Sequence, residues 1–277
     1  MLAVLFFRYG LISVRIRLDK LLVDRGLTPS RERAQALILA GKVLVNEQKI
    51  EKAGALIDSG SASVLRLLGE DLHYVSRGGL KLEKALEHWQ IDLQGKVCLD
   101  VGASTGGFSD CMLQHGAARV IAADTGYGQM DFGLRNDPRI RLLEKTNARY
   151  LKPGDIGENI DFIAMDVSFI SATLVLPAVI RAAAAGASSS SSAASGIVRQ
   201  IVVLVKPQFE AGRELVGKGG IVREESAQLA AVARVKAALD ELGCVRGEWI
   251  ESPILGGGGE GNREFLLHAE FSTPVTG

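Results

Sequence analysis

Val97-Cys98-Leu99-Asp100-Val101-Gly102-Ala103-Ser104-Thr105-Gly106-Gly107-Phe108 is the stretch on which the fold turns. A short apolar run, Val97–Val101, enters a glycine-rich turn and leaves it as a helical pattern over Phe108–His115. Glycines at a strand-to-helix turn let a backbone approach a ligand closely, and the following helix N-terminus favours anions. The turn is not a P-loop, because no Gly-Lys-Ser/Thr ending follows. Gly102, Gly106 and Gly107 are also offset from the G-x-G-x-x-G dinucleotide spacing.

Outward from this turn, strand-like runs recur at Arg119–Asp124, Ile140–Glu144, Asp161–Asp166, Ile201–Lys206, Val245–Ile250 and Glu264–Phe271. Helical patterns fall between most of them, at Ala172–Ala182 and Ser226–Leu242, and Leu80–Trp89 precedes the first strand. Alternating strands and helices predict a mostly parallel sheet covered on both faces. Ligands of such sheets gather at the C-terminal strand edge. Asp124, about 20 residues beyond the glycine turn, is placed to bind ribose hydroxyls, Asn147 to contact a base, and Asp166 ends the fourth strand. Asp100, Gly102, Ala103, Ser104, Thr105, Gly106, Gly107, Phe108, Asp124, Asn147 and Asp166 are therefore the candidate cofactor-binding residues.

Ahead of this region, Arg15 to about Ile57 reads as a compact α+β unit. Leu18, Leu21 and Leu22 recur at helical spacing until Gly26, Ser30 caps a second helix that Gly41 stops, and Lys42–Asn46 reads as a strand. Residues 1–60 carry ten Lys+Arg against six Asp+Glu, a net of +4, and the remainder carries 22 against 26, a net of −4. The overall charge of +0 is thus a basic front added to an acidic body, and it excludes a uniformly basic nucleic-acid binder. Basic charge is expected to cluster on the Arg31/Arg33 face and near Lys81 and Lys206. Three scattered cysteines and four histidines without ligand spacing predict neither a disulfide framework nor a metal site, and suit a reducing cytoplasm. Residues 1–14 form an apolar extension, too short for a membrane span and without the charge and cleavage pattern of a signal peptide. The low-complexity stretch 182–196 reads as a disordered insert.

The front segment resembles the S4-type RNA-binding domain, on Arg17-Leu18-Asp19-Lys20-Leu21-Leu22, Ser30-Arg31-Glu32-Arg33-Ala34 and Ile38-x-x-Gly41-Lys42-Val43-x-Val45-Asn46. The resemblance implies RNA contacts from Arg17, Lys20, Arg31, Arg33 and Lys42. The Asp-x-Gly-x-x-x-Gly-Gly loop resembles that of class I methyltransferases, which implies S-adenosyl-L-methionine as cofactor and a Rossmann-like sheet of seven strands, the last antiparallel. Lys81, Asp166, Lys206 and Glu264 together resemble the Lys-Asp-Lys-Glu tetrad of FtsJ-like RNA ribose 2′-O-methyltransferases. Lys84 competes with Lys81 on spacing, and the Ser-Arg-Gly-x-x-Lys-Leu context favours Lys81.

An S4-type domain followed by an FtsJ-like domain, with Arg77-Gly78-Gly79-Leu80-Lys81-Leu82, Asp124-Thr125-Gly126-Tyr127-Gly128-Gln129, Arg135-Asn136-Asp137-Pro138, Thr146-Asn147-Ala148-Arg149 and Val205-Lys206-Pro207-Gln208-Phe209-Glu210, resembles the TlyA family over roughly residues 15–272. The layout expected is an S4-type domain at 15–62, a linker at 63–73, the methyltransferase domain at 74–272 and a tail at 273–277. The family implies 2′-O-methylation of cytidines in ribosomal RNA, with ribosomal RNA or subunits as partner and neither DNA nor a stable membrane contact. The expected chemistry has Lys206 touching the 2′-hydroxyl and assisting its deprotonation, Asp166 orienting it, and Lys81 with Glu264 completing the network. The glycine run Gly256–Gly259 departs from the family pattern just ahead of Glu264. A membrane-active haemolysin, an RNA-binding module with an inert methyltransferase-like domain, and a base methyltransferase of the same fold are the competing readings. They lack, respectively, a spanning or amphipathic basic segment, a defect in loop or tetrad, and an Asn/Asp-Pro-Pro-Tyr loop or catalytic cysteine.

Overall fold

The computed structural model describes residues 15–28, 30–46, 48–58, 64–67, 73–184, 199–256 and 261–271. The apolar extension 1–14, residues 185–196 of the low-complexity stretch and the tail lie outside them. The chain divides into two compact units, Met1–Asp71 and Leu72–Gly277.

In the first unit the order is β1 (Arg15–Arg17), α1 (Leu18–Asp24), α2 (Arg31–Leu39), β2 (Val43–Val45), β3 (Gln48–Lys49), β4 (Leu56–Asp58) and β5 (Leu65–Leu67). Ser30 caps α2 as expected, its Oγ accepting the Arg33 N–H at 3.2 Å. Leu18, Leu22, Ala34, Leu37, Ile38, Val43 and Val45 form the core. Strand β2 lies between β3 and β5, antiparallel to both. Leu65–Leu67 therefore belongs to this unit's sheet, which corrects its reading as linker. The reason is packing: Leu65 and Leu67, two residues apart on one strand face, cover the core beside Val45 and Val43.

In the second unit α3 (Gly78–His88) precedes β6 (Val97–Val101), α4 (Gly107–Gln114), β7 (Arg119–Ala123), α5 (Phe132–Arg135) and β8 (Ile140–Leu143). Then come α6 (Pro153–Ile156), β9 (Phe162–Met165), α7 (Ala172–Ala184), β10 (Arg199–Val205), α8 (Pro207–Glu210), α9 (Glu225–Glu241), β11 (Arg246–Glu251) and β12 (Phe265–Phe271). The seven strands align as β11-β12-β10-β9-β6-β7-β8. Only β12 runs antiparallel to its neighbours.

Both faces of the sheet are buried, so the central strands are continuously apolar rather than alternating. Leu99, Val101, Ile163, Met165, Val203 and Val205 pack one face against α7 and α9. Cys98, Phe162, Ala164, Val202 and Leu204 pack the other against α3 and α4. Helix α7 continues to Ala184, so the start of the low-complexity stretch is helical; alanine is the strongest helix former, and Ala182, Ala183 and Ala184 are all buried.

This topology makes one edge of the sheet chemically rich. Strands β6, β7, β8, β9 and β10 all end there, and β12, running the other way, begins there. The pairing of Val205 with Phe265 sets Lys206 and Glu264 at the same height on neighbouring strands.

Candidate active site

The glycine loop is shaped by close backbone contacts. Gly102 has φ +88, and a Cβ there would lie 2.3 Å from the Asp166 carbonyl oxygen. The β6 exit can therefore approach the β9 exit only with glycine at 102. Gly106, at φ +96, caps α4 in the left-handed region. Asp124 pins the loop from below: its Oδ2 accepts the Ser104 N–H at 2.8 Å and its Oδ1 the Gly126 N–H at 2.6 Å.

Two adjoining cavities flank the loop and share Gly102, Ser104 and Asp166. The first, about 230 Å³, is lined by Ala103, Thr105, Gly107, Phe108 and Lys81 among others. The second, about 300 Å³, is lined by Asp124, Asn147, Ser168 and Phe169 among others. Nearly every residue expected to bind cofactor reaches one of the two. Gly106 lines neither and acts through the turn it permits.

Asp100 stands apart from the other candidates. It lies on the same strand face as Cys98, wholly buried beneath the loop, where the Ser109 hydroxyl donates to its Oδ2 at 2.6 Å. Burial, aided by the charges of Asp166 and Asp124 and opposed by Ser109, pushes its carboxyl up to about 7. Residue 100 thus supports the loop from below and does not border the cavities.

The tetrad residues come together as two ion pairs. Lys81 Nζ donates to Glu264 Oε2 at 2.5 Å, with 11% of the lysine side chain and 3% of the glutamate exposed. Lys206 Nζ lies 2.6 Å from Asp166 Oδ1 and donates to Ser168 Oγ at 2.7 Å. Lys81 and Asp166 line the first cavity; Glu264 stands behind Lys81, and Lys206 meets Asp166 and Ser168 at the edge. Lys84, three residues further along α3, is exposed.

Three neighbours escaped the sequence reading. Ser168 partners Lys206. Phe169 is 92% exposed with φ +65 and lines the second cavity. Glu210, only 3% exposed, accepts the Ser171 hydroxyl at 2.6 Å and the Ala172 N–H at 2.7 Å, and burial raises its carboxyl above the ordinary range. Ser168 and Phe169 lie two and three residues after Asp166, so proximity to that acid was the available signal.

In the first unit, Asp19 organises the basic residues. Its buried carboxylate takes two hydrogen bonds from Arg17, one from Arg31 and one from Gln35. The Arg17 guanidinium, with Gln35 and Arg31, holds it well below the usual carboxylate range. Arg17 and Arg31 remain about half exposed, at 48% and 51%. Lys20 is exposed, whereas Arg33 and Lys42 are half-buried. Two residues along a helix turn the side chain through about 200°, so Arg31 and Arg33 do not share a face. Arg31 clusters with Arg17 instead.

Among the described residues no group of His, Cys, Asp or Glu is arranged to hold a metal ion, and no helix is long and apolar enough to cross a membrane. The FtsJ-like methyltransferase family matches residues 74–271 and the S4 domain family residues 16–62. The chain is 43% identical to the 16S/23S rRNA (cytidine-2′-O)-methyltransferase TlyA of Mycobacterium tuberculosis, over 94% of this chain and 91% of that protein. It is 38% identical to Hemolysin A of Brachyspira hyodysenteriae, over 91% of this chain and 99% of that one. A solved structure from Streptococcus thermophilus, provisionally assigned to the hemolysins, matches with a TM-score of 0.65 and 43% identity over 93% of this chain and 89% of its own. With a glycine cradle, two lysine–carboxylate pairs at one sheet edge and matches of this extent, the chain belongs to the FtsJ-like methyltransferases, in the TlyA family that joins them to an S4 domain.

Proposed function

We propose that this protein methylates the ribose 2′-hydroxyl of a cytidine in ribosomal RNA, using S-adenosyl-L-methionine, in the cytoplasm. The observation that carries this reading is the meeting of the Lys81–Glu264 and Lys206–Asp166 pairs with the glycine cradle.

The residues present fit this cofactor. Gly102 borders both cavities and, lacking a Cβ, lets the loop close on the Asp166 backbone, and the two adjoining cavities are lined from Phe108 on one side to Asn147 on the other. A carboxylate has about four acceptor positions, so Asp124, with two taken by backbone N–H groups, keeps acceptors for ribose hydroxyls. Asn147 lies at the base end. When bound, S-adenosyl-L-methionine supplies a methyl group made electrophilic by its sulfonium.

The chain's own task is to deliver a weakly acidic hydroxyl in line and to handle its proton. Asp166 and Ser168 occupy two sides of the Lys206 nitrogen, leaving its third direction for the 2′-oxygen. As an amine that nitrogen accepts the hydroxyl proton; as an ammonium it steadies the oxygen by donation. Asp166 fixes its direction. Lys81, held by Glu264, faces the cavity and positions the ribose. Orientation of this kind supplies much of the acceleration of a bimolecular transfer.

Exposed Phe169 offers a flat apolar face beside this nitrogen, suited to an unstacked base. The 2′-hydroxyl requirement selects RNA over DNA. The S4-type domain, through Arg17, Lys20, Arg31, Arg33 and Lys42, engages the phosphates of ribosomal RNA or a subunit.

The test is incubation with methyl-labelled S-adenosyl-L-methionine and each ribosomal subunit from cells lacking the mark, followed by mapping. Label on a cytidine 2′-oxygen is expected. Label on a base, or none with either subunit, overturns the reading, and dye release from liposomes would point to a membrane-active protein instead.

A further inference from the structure

We propose that Glu210 is a positioning residue for methyl transfer, holding the Asp166–Ser171 loop in register with Lys206. The proposal rests on the function proposed above.

The five residues Lys206–Glu210 meet this loop contact by contact. At its start, Lys206 Nζ engages Asp166 at 2.6 Å and Ser168 Oγ at 2.7 Å. At its middle, the Phe209 ring packs on Phe169 with centroids 5.4 Å apart. At its end, the two carboxylate oxygens of Glu210 accept from the Ser171 hydroxyl and the Ala172 N–H. The segment is itself fixed: Pro207 starts α8 with a restricted backbone, and Arg234 of α9 donates to the Glu210 carbonyl oxygen at 2.7 Å.

The loop needs this support. Phe169 holds a left-handed backbone, costly for a side chain with a Cβ, and is 92% exposed, so burial of its own ring does not stabilise that conformation. Without Glu210, the C-terminal end of the loop loses both hydrogen bonds that join it to the segment carrying Lys206. Ser168 and Phe169 are then free to shift relative to the Lys206 nitrogen. The cofactor cradle is held separately, by Asp124 beneath Ser104 and Gly126. A helix cap alone would not need to be a buried carboxylate; what is particular here is that the capping group sits four residues from the lysine whose partners the capped loop carries.

The experiment compares full-length wild type with Glu210→Ala, Glu210→Gln, Ser171→Ala and Lys206→Ala, measuring single-turnover methyl transfer to the labelled subunit, KM for RNA, cofactor affinity and thermal midpoint. A misplacement near 1 Å can cost on the order of 100-fold in rate. Glu210→Ala is expected to lose about tenfold or more in the single-turnover rate, with cofactor Kd and KM within about threefold. Glu210→Gln should restore most of the rate, because its amide oxygen can accept from Ala172 and its amide nitrogen can donate to Ser171. A full rate in folded Glu210→Ala, or a loss matched by the folded fraction alone, overturns the proposal. If Glu210→Ala does not fold, Ser171→Ala decides: it removes one of the two bonds, and an unchanged rate there is equally fatal. Lys206→Ala separates the two failures, since an unchanged rate in that variant removes the active-site reading itself.

Discussion

Replacing Asp100 by Asn tests how the glycine loop is supported. Asp100 is fully buried, bonded to Ser109, and its second carboxylate oxygen has no hydrogen-bond partner among the described residues. Asparagine keeps the oxygen that Ser109 needs and imitates the protonated carboxyl. In the folded protein the carboxyl titrates at about 7, against an unfolded value near 3.9. A folded-state value above the unfolded one means that the native form holds a proton the unfolded chain releases. The associated stability is complete below about pH 4 and is lost as pH rises through about 7. Between pH 5 and pH 8 the wild type should lose about 2–3 kcal/mol from this group, a change that Asp100→Asn should lack.

The assay is urea unfolding of both proteins from pH 5 to pH 8, followed by tryptophan fluorescence. The two tryptophans, Trp89 and Trp249, both lie in the second unit, so the signal reports on the domain that holds Asp100. Other titrating groups cancel in the difference between the two proteins. A wild-type-minus-variant difference that is the same at pH 5 and pH 8 refutes the reasoning. Because Asp100 lies beneath the loop, cofactor affinity at pH 6 should stay within about threefold; a larger loss would return residue 100 to the cavity wall.

Lys206→Ala should lower the single-turnover methylation rate by about 10²–10⁴-fold while cofactor binding persists, measured by calorimetry beside rapid-quench kinetics. Gly102→Ala forces a Cβ to 2.3 Å from the Asp166 carbonyl oxygen. It should cost about 2–4 kcal/mol in unfolding experiments and abolish measurable cofactor binding. Asp19→Ala leaves Arg17 and Arg31 without their shared carboxylate, but both arginines are half exposed, so the loss should be about 1–2 kcal/mol by calorimetry of the first unit's transition. Since its folded-state value is depressed, the stability Asp19 contributes is present at neutral pH and fades as pH falls below about 4.

Much of the second unit was legible because its strands are buried on both faces. Val97–Val101, Phe162–Met165 and Arg199–Val205 are apolar runs with little competing pattern, and the glycine turn marks where a ligand approaches. Strands of two or three residues, such as Gln48–Lys49 and Leu65–Leu67, are too short to show a period; the first carried no reading of its own and the second fell in the expected linker. Ser168 and Glu210 carry no local signature either; each matters through a partner brought close by folding.

The amino-acid order by itself pointed to the two-part organisation, the glycine-rich turn and the four lysine and acid candidates, because these depend on local patterning and on a closely matching family. Which lysine meets which acid was decided by tertiary structure. Lys81 and Glu264, 183 residues apart, pair because antiparallel β12 begins at the edge where the parallel strands end. Asp100, adjacent in sequence to the cradle, is buried one residue short of the strand end, where it meets Ser109 of α4 and does not border the cavities. The zero net charge likewise resolves in space, with the basic cluster built around a buried Asp19 and the acids placed where the sheet edge needs acceptors. Sequence sets which groups are available, and chain direction and burial decide which of them face one another.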